Sequence, residues 1–287
     1  MSLRRTIPAV LAAGLLVTLA PAPQASAQQL LCESDQGLAY ATYMANAVNS
    51  AAINSRNVSI GFYDRTTGTT CFTQPFQRFK TASIVKVLVA VALHLRAQLE
   101  ERDLDQRERD LLRPMITESS NDATRVLWRE LHTEGTYLNQ AIAVVGLVDT
   151  TPGADGFFGD TVTTAFDQIT LMKFLTAPDD EAFLERPRRE EILDLMSQVV
   201  LTQRYGVPIG APFGTTWHNK IGFGNLGEGY FDYRTHSIGA IRGPAWNGSQ
   251  HDYVMALLSE DNLLYQGIAR VSAAAVILNQ AKHTLPG

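Results

Sequence analysis

The sequence predicts a mixed fold of the α/β (α+β) class, in which two groups of strands enclose a helical segment. β-prone runs lie before residue 80 and again after Gly214, and helical patterns occupy most of the chain between them. The 287 residues are 45% hydrophobic and 18% charged, which provides material for a sizeable core and excludes a disordered or fibrous chain. We therefore expect one domain of two lobes, with a cleft at their junction where small ligands bind.

The first 27 residues have the character of a secretory signal peptide. Two arginines precede the apolar stretch 7–20, and a small-residue cleavage site ends at Ala27. A membrane anchor is the alternative, but the stretch is shorter than the roughly 20 apolar residues that span a bilayer. Lipidation at Cys32 is a second alternative, although no small residue directly precedes that cysteine. We expect a secreted, extracytoplasmic protein whose single domain comprises residues 28–287.

A hairpin opens the domain. The segments 58–63 and 69–72 are β-prone and are joined by the turn-forming segment 64–68. The chain has only two cysteines, Cys32 and Cys71, which are too few for a disulfide scaffold or a four-thiolate zinc site. In an oxidising compartment these cysteines are expected to pair, and two buried free thiols are the alternative.

A helix at 82–99 is expected at the centre of the domain, since its apolar positions fall at helical spacing and Val and Ala surround them. Lys86 and His94 interrupt this apolar segment, so no membrane contact is expected once the signal peptide is removed. Five further helical patterns lie at 107–116, 122–131, 138–145, 165–175 and 190–201. Together these helices predict a helical lobe at about 83–201.

Strands return after Gly214. They are predicted at 215–220, 235–241 and 253–259, and a closing helix is predicted at 262–279. With the hairpin, these elements predict a sheet lobe formed by about 28–82 and 202–287.

Charge and residue usage limit the partners. The net charge is −5 and no run of basic residues occurs, which excludes a surface that tracks nucleic-acid phosphates. The six histidines show no ligand spacing, so neither a metal nor another cofactor is expected. We expect a monomer that acts on a small molecule or a peptide.

Ser83 and Lys86, three residues apart on the predicted central helix, are the first candidates for chemistry. The two side chains lie on one helix face and can touch. Serine becomes a nucleophile when a base removes its proton, and a buried lysine with a lowered pKa can be that base. The backbone N–H of Ser83 also lies in the first helical turn, where it can stabilise an oxyanion. A capping serine followed by a lysine that reaches solvent is the structural alternative.

Two further elements follow in a fitting order. Ser119-x-Asn121 separates two helical patterns, and Lys220-x-Gly222 ends a strand after the helical region. The set S-x-x-K, S-x-N and K-x-G resembles the penicillin-recognising serine hydrolases, which are class A β-lactamases and D,D-peptidases. The resemblance extends over nearly all of residues 28–287. It implies a β-lactamase/transpeptidase-like fold, with an antiparallel sheet flanked by helices and a cleft beside a helical lobe.

The resemblance implies a role for each matched position. Ser83 is the acylated nucleophile, Lys86 is its base, and Ser119 relays a proton to the leaving nitrogen. Asn121 holds Lys86 and the substrate amide, and Lys220 supplies positive charge to the cleft. Taken singly, Ser119 can instead be a helix cap, Asn121 a turn residue and Lys220 a surface charge.

The same resemblance implies how the substrate is held. The backbone N–H of Phe223, which follows Gly222, joins that of Ser83 as the oxyanion hole. Ile221 stands where the family usually has Thr or Ser, so a hydrogen bond to the substrate's carboxylate is lost. Arg234 can hold a carboxylate by a bidentate contact instead, and a surface salt bridge is the alternative for this arginine.

The family's deacylating glutamate is missing, because no Glu-x-x-x-Asn follows the helical region. The corresponding segment, 148–160, contains three acids: Asp149, Asp155 and Asp160. Asp160 is expected to anchor the loop. Asp149 or Asp155 activates water only if the fold brings one of them near Ser83.

The interval from Ser83 to Ser119 is shorter than in class A enzymes, which predicts a shallower, more open site suited to a peptide, an ester or a bulky substrate. We expect a secreted serine hydrolase that is acylated at Ser83 by β-lactams or by peptide or ester donors, with weak β-lactam turnover. A D,D-carboxypeptidase or esterase is the alternative enzyme. The alternative of another class is a non-catalytic homologue that binds cell-wall peptides. An enzyme requires the Lys86 amine to be hydrogen-bonded to Ser83, whereas a binding protein tolerates a Lys86 side chain that points outward into solvent.

Overall fold

A six-stranded antiparallel sheet organises the protein. The computed structural model describes residues 30–52, 57–133, 135–154, 157–178, 181–225 and 233–284, so the predicted signal peptide lies outside the described residues. The strands are Leu30–Glu33 (β1), Val58–Asp64 (β2), Thr69–Thr73 (β3), Phe79–Lys80 (β4), Val162–Thr163 (β5), Thr216–Asn225 (β6), Tyr233–Pro244 (β7) and Gln250–Asn262 (β8). The main sheet has the order β1-β3-β2-β8-β7-β6, and β4 pairs with β5 separately.

Eight α-helices cover the two faces of the sheet within the described ranges. They are Leu38–Ala52 (α1), Val85–Leu99 (α2), Gln106–Thr117 (α3), Asn121–Trp128 (α4), Tyr137–Val145 (α5), Ala165–Leu175 (α6), Arg186–Ser197 (α7) and Leu264–Thr284 (α8). α1 and α8 pack on one face, and the helices between β3 and β6 form a lobe against the other. This is the β-lactamase/transpeptidase-like architecture that the motifs imply.

The central strand β8 joins the two cores. Val254 and Ala256 pack in the cluster around α2, whereas Met255 and Leu257 pack in the cluster beneath α1 and α8. Successive side chains of a strand point to opposite faces, so an apolar run that is buried throughout fits a strand covered on both sides. Complete burial of each large side chain stabilises the fold by about 1.5–3 kcal/mol.

The predicted central helix begins with a short 3₁₀ turn, Ala82–Ile84, and continues as α2. The segment 82–99 is long and apolar enough to cross a membrane by composition alone. Most of it is buried among the surrounding elements, as in the core helix of a soluble domain. Lys86 and His94 are buried within it. Ser83, at its start, is therefore attached to the core of the helical lobe.

Several boundaries differ from the sequence prediction. The hairpin is confirmed, but β1 and α1 were not predicted. The helix expected at 190–201 is α7, which begins earlier because Pro187 occupies the first turn, where its missing N–H is not needed. The strand expected to end at residue 220 continues to Asn225. Cys32 and Cys71 face each other across β1 and β3 and form a disulfide.

Candidate active site

Ser83 lies in the 3₁₀ turn before α2, directly beside the edge strand β6. Gly222 allows this approach, because a Cβ atom there would lie 2.7 Å from Thr81 O and 3.1 Å from Ser83 N. Ala82 has a left-handed backbone with φ of 46°, a strained conformation that clusters at functional sites. The backbone N–H groups of Ser83 and Phe223 belong to these two contacting segments, which is the placement that an oxyanion hole needs.

Lys86 is fully buried, and its amine is directed to the helical lobe. Its Nζ donates to Ser119 O at 2.6 Å, to Ser119 Oγ at 3.0 Å and to Asn121 Oδ1 at 2.9 Å. The hydrogen bond from Lys86 to Ser83 that the sequence predicts is not among these contacts. All three acceptors of the amine belong to Ser119 and Asn121. Burial, and then the charge of Arg125, lowers the pKa of Lys86 to about 7. Roughly half of the amine is therefore neutral near pH 7.

Ser119 joins the two lysines of the site. It lies between α3 and α4, where Ser120 caps α4 by accepting the N–H of Ala123. Ser119 has a left-handed backbone with φ of 60°, which is rare for a residue with a side chain. Its Oγ accepts from Lys220 Nζ at 3.0 Å as well as from Lys86. A single hydroxyl thus connects both amines, as a proton relay requires.

Lys220 is buried on β6, and its hydrogen-bond acceptors are neutral. Besides Ser119, its Nζ contacts Gln203 Oε1 and Ile221 O, each at 3.3 Å. Burial, and then the charge of Lys86, lowers the pKa of Lys220 well below its usual value. None of these acceptors is a carboxylate, so no opposite charge offsets the effect of burial on this pKa.

Ile221 does not face the pocket. Its side chain is buried in the cluster beneath α1 and α8, on the opposite side of β6 from Lys220. The apolar residue at this position therefore contributes to the core.

A shallow pocket of about 340 Å³ opens over Ser83. α4, the 157–160 segment and the sheet contribute its walls: Ala82, Ser83, Asn121, Arg125, Phe157, Phe158, Gly159, Asp160, Phe223, Gly224 and Arg234. The side chains of Phe157 and Phe223 are 65% and 51% exposed at its rim. The pocket agrees with the open site that the short interval between the two serines predicts.

The loop that precedes α6 places an aromatic ring beside Lys86. The ring centre of Phe158 lies 5.5 Å from Lys86 Nζ. The start of the loop is anchored by Asp167, whose carboxylate accepts the backbone N–H groups of Val148 and Asp149. The described part of the loop thus presents an apolar side chain to Lys86.

The described aspartates of this loop do not contact the buried amines of Lys86 and Lys220. Asp160 has the expected anchoring role, with Oδ1 3.1 Å from Lys80 Nζ. Asp149 contributes to the anchoring of the loop only through its backbone N–H, which donates to the Asp167 carboxylate. Asp155 lies outside the described residues. No described aspartate of the loop makes a hydrogen bond to either buried amine.

Arg234 lies on β7 at the wall of the pocket and is almost fully buried. Its Nη1 donates to Gly159 O at 3.2 Å and lies 3.7 Å from Asp160 Oδ1. Burial is the main cause that lowers its pKa, and Glu260 and Asp160 oppose that effect. The ion pair expected as the alternative for this arginine is present, although Arg234 is buried and not at the surface, and the guanidinium also borders the pocket over Ser83.

Arg125, Phe158 and Gln203 contact the site and were not found from the sequence. None belongs to one of the three motifs, and the one available signal was that Phe158 lies in the segment 148–160, where the family has its glutamate. Within the described ranges, no group of His, Cys, Asp and Glu is arranged to hold a metal ion. The polar groups of the site include two amines, hydroxyls, amides and two arginines.

Solved structures with a similar fold include "Structure of PBP-A", at 20% identity and TM-score 0.69, covering 85% of this chain and 97% of that one. A class A β-lactamase from Mycobacterium abscessus matches at 19% identity and TM-score 0.69, covering 83% and 99%. An acyl-enzyme complex of a PBP-A mutant with penicillin G matches at 20% identity and TM-score 0.67, covering 85% and 97%. The protein thus has a β-lactamase-like fold.

The family follows from the sequence. The model of the "Beta-lactamase enzyme family" matches residues 41–108 and 107–280, which is most of the chain. The protein belongs to the β-lactamase enzyme family. No curated protein matches it in sequence.

Proposed function

We propose that the protein is an extracytoplasmic serine hydrolase that is acylated at Ser83 by β-lactams or by peptide or ester donors and deacylates slowly. The observation that carries this proposal is the hydroxyl of Ser119, which accepts hydrogen bonds from both Lys86 and Lys220 at 3.0 Å. The apolar leader with a cleavage site after Ala27 supports the extracytoplasmic location.

Acylation uses the neutral form of Lys86. This amine takes the proton of Ser83 as the Ser83 Oγ–carbonyl bond forms, and the oxyanion is held by the N–H groups of Ser83 and Phe223. The proton then passes from Lys86 to Ser119, whose own proton goes to the leaving nitrogen or oxygen as the substrate bond breaks. In the free protein the amine of Lys86 donates a hydrogen bond to Ser119. The contact between Lys86 and Ser83 therefore has to form when substrate binds, as catalytic hydrogen bonds often do.

Hydrolysis of the acyl-enzyme is the slow half of the cycle. Water must be deprotonated as it attacks the ester, and a carboxylate near the nucleophile is the usual base. The loop side of the site instead presents Phe158 over Lys86. A ring cannot accept this proton, so among the described residues beside Ser83 the neutral amine of Lys86 is the base that our proposal assigns to water attack.

Two alternatives remain to be distinguished from a β-lactamase. In a D,D-carboxypeptidase or esterase the same acylation occurs on peptides or esters, and Arg234 at the pocket wall supports a donor with a carboxylate. A non-catalytic peptide-binding homologue is less well supported, because Lys86 is buried with two polar partners instead of being turned outward.

The test is to map the adduct formed with penicillin G. The intact mass should increase by one penicillin, and peptide mapping should place the added mass on Ser83. Ser83→Ala should form no adduct, whereas Ser197→Ala, which removes a half-buried serine of α7 outside the pocket, should react like the parent. An adduct on another residue, or no adduct with penicillin or an activated ester, would overturn the proposal.

A further inference from the structure

Arg125 places a positive charge on the helical side of the pocket. It lies one turn after Asn121 on α4, so the two side chains are on the same face of the helix. Arg125 lines the pocket together with Ser83 and Asn121, and its charge is the second cause, after burial, that lowers the pKa of Lys86. A substrate group next to Asn121 therefore comes within reach of Arg125.

The ion pair of Arg125 can be exchanged for a substrate contact. Its partner is Asp122 on the same helix, and the side chains of Arg125 and Asp122 are 56% and 95% exposed. Exposed pairs of this kind contribute little to stability, since water and salt screen them. A carboxylate that enters the pocket can replace Asp122 at low cost.

The surroundings favour an anion over a cation. Arg125, Arg234 and Asp160 are the charged residues among the described walls of the pocket, and Asp160 already pairs with Lys80 and Arg234. The lining therefore has a formal net charge of 2 − 1, or +1, whereas the whole chain has a net charge of −5. A positive excess at a pocket raises the local concentration of anions.

We infer that Arg125 selects acyl donors that carry a carboxylate on the acyl side of the reacting bond, next to the amide that Asn121 holds. This inference rests on the proposed function, because attack by Ser83 with the substrate amide at Asn121 defines which part of the acyl donor lies beside Arg125. The sheet side of the pocket has its own cation, Arg234, so the donor preferred by this site has one anionic group on each side of the bond.

The test uses two β-lactams that differ by one charge. Carbenicillin has the structure of benzylpenicillin with an added carboxylate on the acyl side chain. Dissociation constants are measured on Ser83→Ala, where no covalent step occurs, and acylation rates are measured on the protein with Ser83. We expect carbenicillin to be favoured in binding by roughly three- to tenfold at low salt, and the preference to fall with ionic strength.

Substitutions then assign the preference to one residue. Arg125→Gln should bring the ratio of the benzylpenicillin and carbenicillin dissociation constants to about one, because the preference for carbenicillin is lost. Arg125→Lys should retain part of the preference. The ratio cancels any change in the pKa of Lys86, because that change affects both compounds equally. Arg186→Gln is the matched control: Arg186 is 58% exposed, pairs with Glu190 on α7 and does not line the pocket.

The two proposals fail in different ways. Equal binding of the two compounds, or a preference that survives Arg125→Gln, overturns the role of Arg125 whether or not Ser83 is acylated. Selective binding that depends on Arg125 supports the inference, even if acylation of Ser83 is not observed. In that case only the proposed function fails.

Discussion

The two sides of Ser83 differ in chemical character. On the lysine side, Lys86 and Lys220 are buried and share the hydroxyl of Ser119. On the loop side, the ring of Phe158 lies beside the amine of Lys86, and Asp160 forms an ion pair with Lys80. The first side has the groups that our proposal uses to form an acyl-enzyme. On the second side, no described aspartate of the loop makes a hydrogen bond to Lys86 or Lys220. Family membership therefore does not by itself imply rapid turnover.

The largest expected effect comes from removing the base on the lysine side. Lys86→Met preserves side-chain length but removes the proton acceptor, and should slow acylation by roughly 10²- to 10⁴-fold. Stopped-flow measurement with a chromogenic cephalosporin checks this. Lys173→Met is the control, because Lys173 is a half-buried lysine on α6 outside the pocket. Unchanged acylation in Lys86→Met would remove Lys86 from the mechanism.

The next effect comes from adding a base on the loop side. Phe158→Glu places a carboxylate where the ring faces Lys86, and should shorten the lifetime of the penicillin adduct by at least about tenfold, since a positioned general base contributes 10²- to 10⁴-fold. The decay of the adduct mass after removal of free penicillin measures this.

Phe157→Glu is the matched control for that variant. It adds the same charge one residue away, on a ring that is exposed at the rim of the pocket. If both variants deacylate equally fast, or if neither differs from the parent, Phe158 does not limit hydrolysis.

A smaller effect is expected from pH. Because acylation needs neutral Lys86, its rate should rise with pH through about 7 and level off above it. Arg125→Gln removes a charge that lowers this pKa, so the midpoint should move to higher pH. Acylation rates measured from about pH 5.5 to 9 show the midpoint. A rate that falls as pH rises through 7 would contradict the role of neutral Lys86.

The smallest effect on acylation is expected at Ile221. Ile221→Thr restores the hydroxyl usual in the family, but this side chain lies in the core beneath α1 and α8. We expect unfolding in urea to show a loss of about 1–3 kcal/mol, with little change in acylation. A gain in acylation without loss of stability would show that residue 221 reaches the substrate.

Elements with strong periodicity were predictable, and those with weak patterns were not. The hairpin follows from two β-prone runs joined by a turn-forming segment, and α2 follows from helical spacing. α1 was missed because its buried stripe includes two small residues, Ala41 and Ala52, while Leu38 is exposed. Such a helix is defined by its contacts with α8 and the sheet more than by its own sequence.

The same distinction applies to the site. The motif set identified Ser83, Lys86 and Lys220, because the residues of each motif lie within a few positions of one another in the sequence. Spacing also suggested a bond from Lys86 to Ser83, whereas the amine is directed to Ser119 and Asn121 across the lobe. Arg125, Phe158 and Gln203 reach the site through tertiary packing, which no local pattern records.

We propose that acylation is much faster than deacylation. The direct measurement is the intact-mass time course of the protein mixed with one equivalent of penicillin G, followed until the antibiotic is consumed. We predict that the singly acylated protein approaches full occupancy and then decays over a far longer time than it took to form. Complete conversion of penicillin to its hydrolysis product, without accumulation of the adduct, would contradict the account.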